Sequence, residues 1–212
     1  MSIVVFSDVH GNLPALELML RDAGKADQYI CLGDVVNYGP WSRECVELIA
    51  DLENCVFVAG NHEQMFLAKH FDGANSLVKQ FFEHCITSFD RFDLISDLAD
   101  EYHVDDLLFT HTLENRRIFP DSDVDIGQST FIGHSHHQFD RLVNGYHLYN
   151  VGSVGQNRQY LNLISYAVLF PDVRRVDLRN LAYDESLVIN EMKRRNYPPE
   201  CIDYYEGKPR FA

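Results

Sequence analysis

Asp8 and His10 lie in the stretch Phe6-Ser7-Asp8-Val9-His10 that follows the apolar run Ile3-Val4-Val5, and four more such junctions lie downstream. Asp34 follows Tyr29-Ile30-Cys31-Leu32-Gly33, and Asn61-His62-Glu63 follows Cys55–Ala59 and Gly60. His111 ends the run Leu107–Thr110, and His134 and His136 come after Thr130-Phe131-Ile132-Gly133. Asp8, His10, Asp34, Asn61, His111, His134 and His136 are all residue types that ligate a metal through oxygen or imidazole nitrogen. Seven such groups exceed the needs of one four-coordinate ion and suit two ions that share a ligand. A carboxylate is the natural bridge, because its oxygens reach two cations roughly 3.5–4 Å apart. Asp34, alone at its strand end, is the candidate. A donor set of nitrogen and oxygen without sulfur favours Mn, Fe, Zn, Co or Ni over Ca or Mg. His62 is left over, and an extended chain would turn it away from its neighbour Asn61. A single histidine at a strand end is usually structural, but buried strand ends seldom collect this many carboxylates and imidazoles without a purpose.

The elements that must position these groups are short β-branched runs stopped by polar residues and Gly, the pattern of buried strands. On a strand, residues i and i+2 share a face, so Asp8 and His10 are expected to project together from its carboxyl end. Asn12 reads as an N-cap with Pro14 in the first turn, and Leu13, Leu16, Met19 and Leu20 recur at helical spacing up to Gly24. A second helix is expected from Ser42, carrying Cys45, Val46 and Ile49 inward. Strand, helix, strand, helix, strand at this spacing predicts parallel strands with right-handed crossovers. The polar residues then gather along one edge, where open α/β sheets place their sites. From Gln64 to about Asp100 the pattern is helical, with an apolar stripe through Leu77, Val78, Phe81, Phe82, Cys85, Ile86 and Phe89. The remaining runs, about 139–143, 146–151, 164–170 and 173–178, read as strands of an antiparallel second sheet joined by tight turns. The stretch from Tyr183 reads as a polar, peripheral helix and tail.

The chain has 212 residues, 46% of them hydrophobic and 24% charged, the balance of a globular protein with a sizeable core. Its net charge of −14 argues against nonspecific nucleic-acid binding, which needs cationic surface. No apolar run reaches membrane-spanning length, and the amino terminus lacks the features of a secretion signal. Five unpaired-looking cysteines fit reduced thiols and a cytoplasmic setting.

Asp8-x-His10, Gly33-Asp34, Gly60-Asn61-His62-Glu63, His111 and Gly133-His134-x-His136 resemble, in order, the five motifs of the calcineurin-like metallophosphoesterases. Asn150–Arg158 is similar to a segment of that family's small prokaryotic, phosphodiesterase-like branch. The resemblance implies an α/β fold of two packed mixed β-sheets flanked by helices, a four-layer α-β-β-α sandwich. It implies one domain over 1–212, with a helical insertion at about 64–105 and a peripheral tail at about 183–212. It also implies roles. Asp8, His10 and His136 would hold one divalent ion and Asn61, His111 and His134 the other, with Asp34 bridging and manganese the first choice of metal. A hydroxide bridging the two ions would attack phosphorus in line, and His62 would protonate the leaving oxygen or stabilise charge on the phosphoryl group.

The chain departs from the family's pattern at Asn37-Tyr38-Gly39, where the protein-phosphatase branch has a carboxylate or amide followed by a phosphate-gripping Arg. Arg158, Arg116 and Arg117 are the candidates to replace that Arg, and His62 would lack a carboxylate partner at position 37. Thr112 follows His111 where the small members usually have Gly. Asn12 and Tyr38 are candidate substrate contacts, through an amide and a stacking ring, beside Arg158. The expected activity is hydrolysis of a small phosphodiester or phosphomonoester, nucleotides included. Two alternatives stand: a dinucleoside polyphosphate pyrophosphohydrolase, and a noncatalytic metal-binding scaffold. The expected partner is the small phosphate-ester substrate, and either the C-terminal helix or an exposed strand leaves a homo-oligomer open.

Overall fold

In a computed structural model that describes residues 1–211, two five-stranded sheets pack face to face. The first half runs β1 (Ile3–Phe6), α1 (Leu13–Ala23), β2 (Gln28–Cys31), α2 (Ser42–Ala50), β3 (Cys55–Phe57), α3 (Asn61–Ala68) and α4 (Ser76–Ile86). The second half runs β4 (Glu101–Val104), β5 (Leu107–Thr110), β6 (Ser129–Ile132), β7 (Phe139–Val143), β8 (Tyr146–Asn150), β9 (Leu163–Phe170), β10 (Arg175–Ala182), α5 (Ser186–Arg194) and α6 (Pro199–Glu206). One sheet has the order β10-β9-β1-β2-β3 and the other β4-β5-β6-β8-β7. Each is mixed. β1, β2 and β3 are parallel with β9 antiparallel to β1, and β5, β6 and β8 are parallel with antiparallel β4 and β7 outside them.

The continuous apolar run of β1 follows from burial on both faces. Ile3 and Val5 point between the sheets, where they meet Phe109, Phe131 and Leu169. Val4 and Phe6 point to the helical side, with Leu16, Met19, Val46 and Phe81. Between the sheets, the Phe109 and Phe131 rings stack at 4.8 Å and Phe131 and Tyr149 at 4.6 Å. On the far side, Ile118 and Ile126 cover Ile132, Phe139 and Leu148 of the second sheet.

Three expectations change. The last four strands do not form one sheet. β7 and β8 join the second sheet, whereas β9 and β10 cross back to lie beside β1. Local alternation identifies a strand but carries no information about its sheet. The stretch 64–105 holds α4 with its predicted stripe, but it ends in β4, a short edge strand. The segment from Tyr183 is not peripheral. Val188, Met192, Tyr197, Cys201 and Tyr205 are buried in the main core, and Pro199 starts α6 where a loose end was expected. Its sequence reads as polar because only one stripe of each helix turns inward. All five cysteines are free thiols, and among the described residues no helix is long and apolar enough to cross a membrane.

Phe131 is fully buried and stacked on both faces, so Phe131→Ala is expected to cost about 3–5 kcal/mol in urea unfolding. Leu142→Ala, at a side chain 66% exposed on an edge strand, should stay within about 0.5 kcal/mol.

Candidate metal centre

β1 ends at Phe6, two residues before the first candidate ligand, so Asp8 and His10 do not project from a strand. Both have left-handed backbone, at φ 56° and 48°, as do Asp34 at 54°, His134 at 63° and His136 at 60°. Non-glycine residues rarely adopt this conformation, and it persists only where the surroundings over-determine it. Here neighbouring loops supply the determination. Asp8 N donates to Gly33 O at 3.0 Å, His10 N to Asp34 O at 3.0 Å and Gly11 N to Val35 O at 2.7 Å. From the other side, Ser153 Oγ and Gly155 N donate to Asp8 O at 2.7 and 3.0 Å. The loops touch so closely that a Cβ on Gly33 would lie 2.4 Å from Gly60 N.

These loops bring the seven candidate ligands together. Asp8 Oδ1 lies 3.0 Å from His136 Nε2 and 3.6 Å from His10 Nε2, and the two imidazole nitrogens are 3.2 Å apart. In a second cluster, His111 Nε2 lies 3.1 Å from Asp34 Oδ2, 3.2 Å from Asn61 Oδ1 and 3.1 Å from His134 Nδ1. Asp34 lies between the clusters, its other oxygen accepting from His62 N at 2.8 Å.

Three of the histidines have a defined tautomer. His10 Nδ1 faces Val36 O at 3.2 Å, His111 Nδ1 faces Leu32 O at 2.7 Å, and His136 Nδ1 faces Gln156 O at 2.5 Å. A carbonyl only accepts, so Nδ1 carries a proton in each ring and Nε2 is the nitrogen that faces the site. His10 and His136 thus aim two lone pairs at one point, next to a buried Asp8 Oδ1 that accepts no well-directed hydrogen bond. Such a group of acceptors is satisfied by a cation. The electrostatics agree. Burial holds His10 and His136 below the usual imidazole range and takes His134 to about 4. His111 is the exception: Asp34 and Asp8 outweigh burial and lift that ring to about 10, so a metal ion bound there would displace its Nε2 proton. The donor set therefore fits divalent metal ions.

His62 is on α3, one residue beyond the helix start at Asn61, and not on an extended strand. The helical turn points it into the site, with Nε2 3.9 Å from Asp34 Oδ2 and its ring 4.9 Å from that of His10. Burial lowers its pKa to about 4, so the ring is neutral. The expected vacancy at position 37 is filled by an amide: Asn37 Nδ2 lies 2.9 Å from His62 Nδ1. An amide donating there leaves the ring proton on Nε2, facing the site.

A cavity of about 520 Å³ opens over the centre, walled by Met65, Phe71 and Val78 and rimmed by Arg117 and Arg158. Arg116, the third candidate cation, is instead held by Glu114 at 2.8 Å and by Asp123 O. The two other predicted substrate contacts, Asn12 and Tyr38, are both buried. Asn12 is buried, its Oδ1 accepting from Ala15 N and its Nδ2 donating to Gly155 O and Tyr183, so the amide is spent on capping and bracing. Tyr38 is 3% exposed, its ring packed 4.8 Å from both His10 and Phe81, and it lines the cavity with its hydroxyl beside Arg158.

Glu63 carries a task that its place in the motif did not reveal. Its carboxylate accepts from Asp34 N at 2.7 Å, Gly60 N at 2.9 Å, Val35 N at 2.8 Å and Val36 N at 3.2 Å. It ties the Asp34 loop to the start of α3. The sequence signal for it is a Glu three residues beyond Gly60 at a helix start, the spacing of a side chain that returns to the helix N-terminus.

A sequence profile of the calcineurin-like phosphoesterases matches residues 1–165, and the chain belongs to that family. An uncharacterized protein of Methanocaldococcus jannaschii is 29% identical over 230 aligned positions, which span 92% of this chain and 93% of that one. A symmetrical bis(5'-nucleosyl)-tetraphosphatase of Thioalkalivibrio sulfidiphilus is 38% identical over 74 residues, 33% of this chain and 27% of that protein. Among solved structures, a metallophosphoesterase from Sphaerobacter thermophilus superposes with a TM-score of 0.79 at 27% identity, covering 97% of this chain and 98% of the other. A hypothetical protein from Pyrococcus horikoshii shares the fold at 15% identity, with a TM-score of 0.80 over 96% and 97% of the two chains.

Glu63→Gln puts an amide NH₂ against buried N–H donors, and is expected to cost about 2–4 kcal/mol in denaturant unfolding. Calorimetric titration of the metal-stripped variant should also show weaker uptake of Mn²⁺ than the wild type.

Proposed function

We propose that this calcineurin-like phosphoesterase is a dimetal-dependent hydrolase of a small phosphodiester or phosphomonoester, nucleotides included. The observation that carries this reading is the placement of Asp34 between two clusters of inward-facing donors at the floor of an open cavity. Asp8, His10 and His136 would hold one ion and Asn61, His111 and His134 the other, with Asp34 shared and manganese the first choice. Divalent ions bound there supply Lewis acidity toward the phosphoryl oxygens and lower the pKa of a water.

The chain's own groups do the rest. His62 is neutral and presents Nε2–H, so it serves as a hydrogen-bond donor to the phosphoryl group or the leaving oxygen. Arg158 faces the cavity near the Asp8 cluster and supplies positive charge to the nonbridging oxygens. The apolar wall of Met65, Phe71 and Val78 receives the organic part of the ester. The free thiols suit a reducing, cytoplasmic setting.

A second reading, a dinucleoside polyphosphate pyrophosphohydrolase, is favoured by the 74-residue similarity to a bis(5'-nucleosyl)-tetraphosphatase. Both readings use the same centre and differ in the bond that is broken.

The test is hydrolysis of bis(p-nitrophenyl) phosphate and p-nitrophenyl phosphate by metal-stripped protein given Mn²⁺, Ni²⁺, Co²⁺, Zn²⁺ or Mg²⁺ in turn. Metal-dependent turnover of either ester is expected. His62→Ala should lower kcat by about 10²- to 10⁴-fold while metal content stays unchanged. Cleavage of a dinucleoside tetraphosphate with neither ester turned over would establish the second reading. Metal binding with no turnover of any of the three would leave the scaffold.

A further inference from the structure

Arg158 lines the cavity and couples electrostatically to Asp8 and His136, and its surroundings are unusual for this chain. The protein carries 32 acidic residues against 18 basic ones, and most of its arginines pair with a carboxylate. Arg158 is partly buried and, among the described residues, has no carboxylate within ion-pair distance. Nη1 donates to the Tyr204 hydroxyl at 3.0 Å, and a second phenol, that of Tyr38, lies beside the guanidinium. The Tyr204 phenol comes from α6, nearly fifty residues downstream, and its ring is held in turn. Phe81 lies edge-on at 5.9 Å, and Lys208 Nζ sits 4.6 Å above its face.

The choice of partner has a physical consequence. A carboxylate would orient the guanidinium but neutralise it, and an incoming phosphate would then have to displace it. A neutral phenol accepts one N–H and leaves the charge and the remaining donors free. α6 is well placed to do this because it is anchored independently. Cys201 and Tyr205 are buried beneath it, Tyr205 OH accepts from Gln156 Nε2 at 3.1 Å, and Lys208 bonds Gln156 Oε1 and, at 3.1 Å, Asn157 O. The same Gln156 offers its backbone oxygen to His136. The C-terminal helix and Lys208 just beyond it thus hold the residues that lead into Arg158.

We propose that Tyr204 is a positioning residue for phosphate recognition, acting through Arg158 and making the C-terminal helix part of the substrate site. The inference rests on the phosphoester reading, since it concerns how that site holds its anion.

The test uses the metal-loaded full chain and Tyr204→Phe, which keeps the ring and removes only the hydroxyl. KM for bis(p-nitrophenyl) phosphate and the calorimetric Kd for inorganic phosphate are both expected to rise about five- to tenfold. Metal content and melting temperature should be unchanged, with kcat within about twofold. In an Arg158→Ala background, Tyr204→Phe should add nothing, because its route to the anion has gone. An unchanged phosphate Kd in Tyr204→Phe, or an equal loss in both backgrounds, overturns the proposal. A wild type that binds no phosphate overturns it too. A wild type that binds phosphate, weakened in Tyr204→Phe, yet turns over no ester keeps the positioning role and overturns the hydrolase reading instead.

Discussion

Two carboxylates, Asp8 and Asp34, are buried with no lysine or arginine paired to either, in a protein whose net charge is already −14. Buried anions are tolerable only when a cation is supplied at close range. Around them stand imidazoles that burial resists charging, with lone pairs directed at the same space. The protein concentrates negative potential at one point, where the His111 ring, raised by Asp34, is the one imidazole held in its charged form. Divalent ions are the answer the donor chemistry suits. The other features of the cavity floor follow from keeping that arrangement from relaxing.

The backbone does most of the holding. Five of the seven candidate ligands have left-handed φ, a strained state for residues with a Cβ, and they occupy turns that run alongside one another at the strand ends. Hydrogen bonds between loops take the place of a regular ladder, and the close approach of Gly33 to Gly60 lets the Asp34 turn rest against the start of α3. Glu63 gathers four backbone N–H groups of these loops on one carboxylate. Backbone carbonyls of Leu32, Val36 and Gln156 set the histidine tautomers. Side chains far apart in sequence are aimed by groups that carry no side-chain identity at all.

The C-terminal helices close the arrangement from the third side. The main core on the helical face includes Phe81 of α4 together with Tyr197, Cys201 and Tyr205, so the wall of the cavity and the end of the chain share one packed cluster. Arg158 lies where that cluster meets the metal centre. Through the Tyr204 hydroxyl, the packing of α6 against the core bears on the direction of a single guanidinium.

The ligand types, their order and their place after apolar runs were legible from the chain alone, because strand ends punctuated by Gly, Asp and His are local patterns. The parallel first sheet and the apolar stripe of α4 were legible for the same reason. What only tertiary structure decided was direction and partnership. Asp8 and His10 converge through left-handed turns, where strand alternation suggested a different route to the same result. His62 points inward because a helix begins one residue earlier. Asn12 has a residue type suited to substrate contact, yet its amide is spent on capping and bracing. β9 and β10 join the first sheet, and the polar-looking C-terminus is core. Each of these depends on contacts between segments tens of residues apart. Periodicity reports which face of an element is apolar, but not what that face will meet.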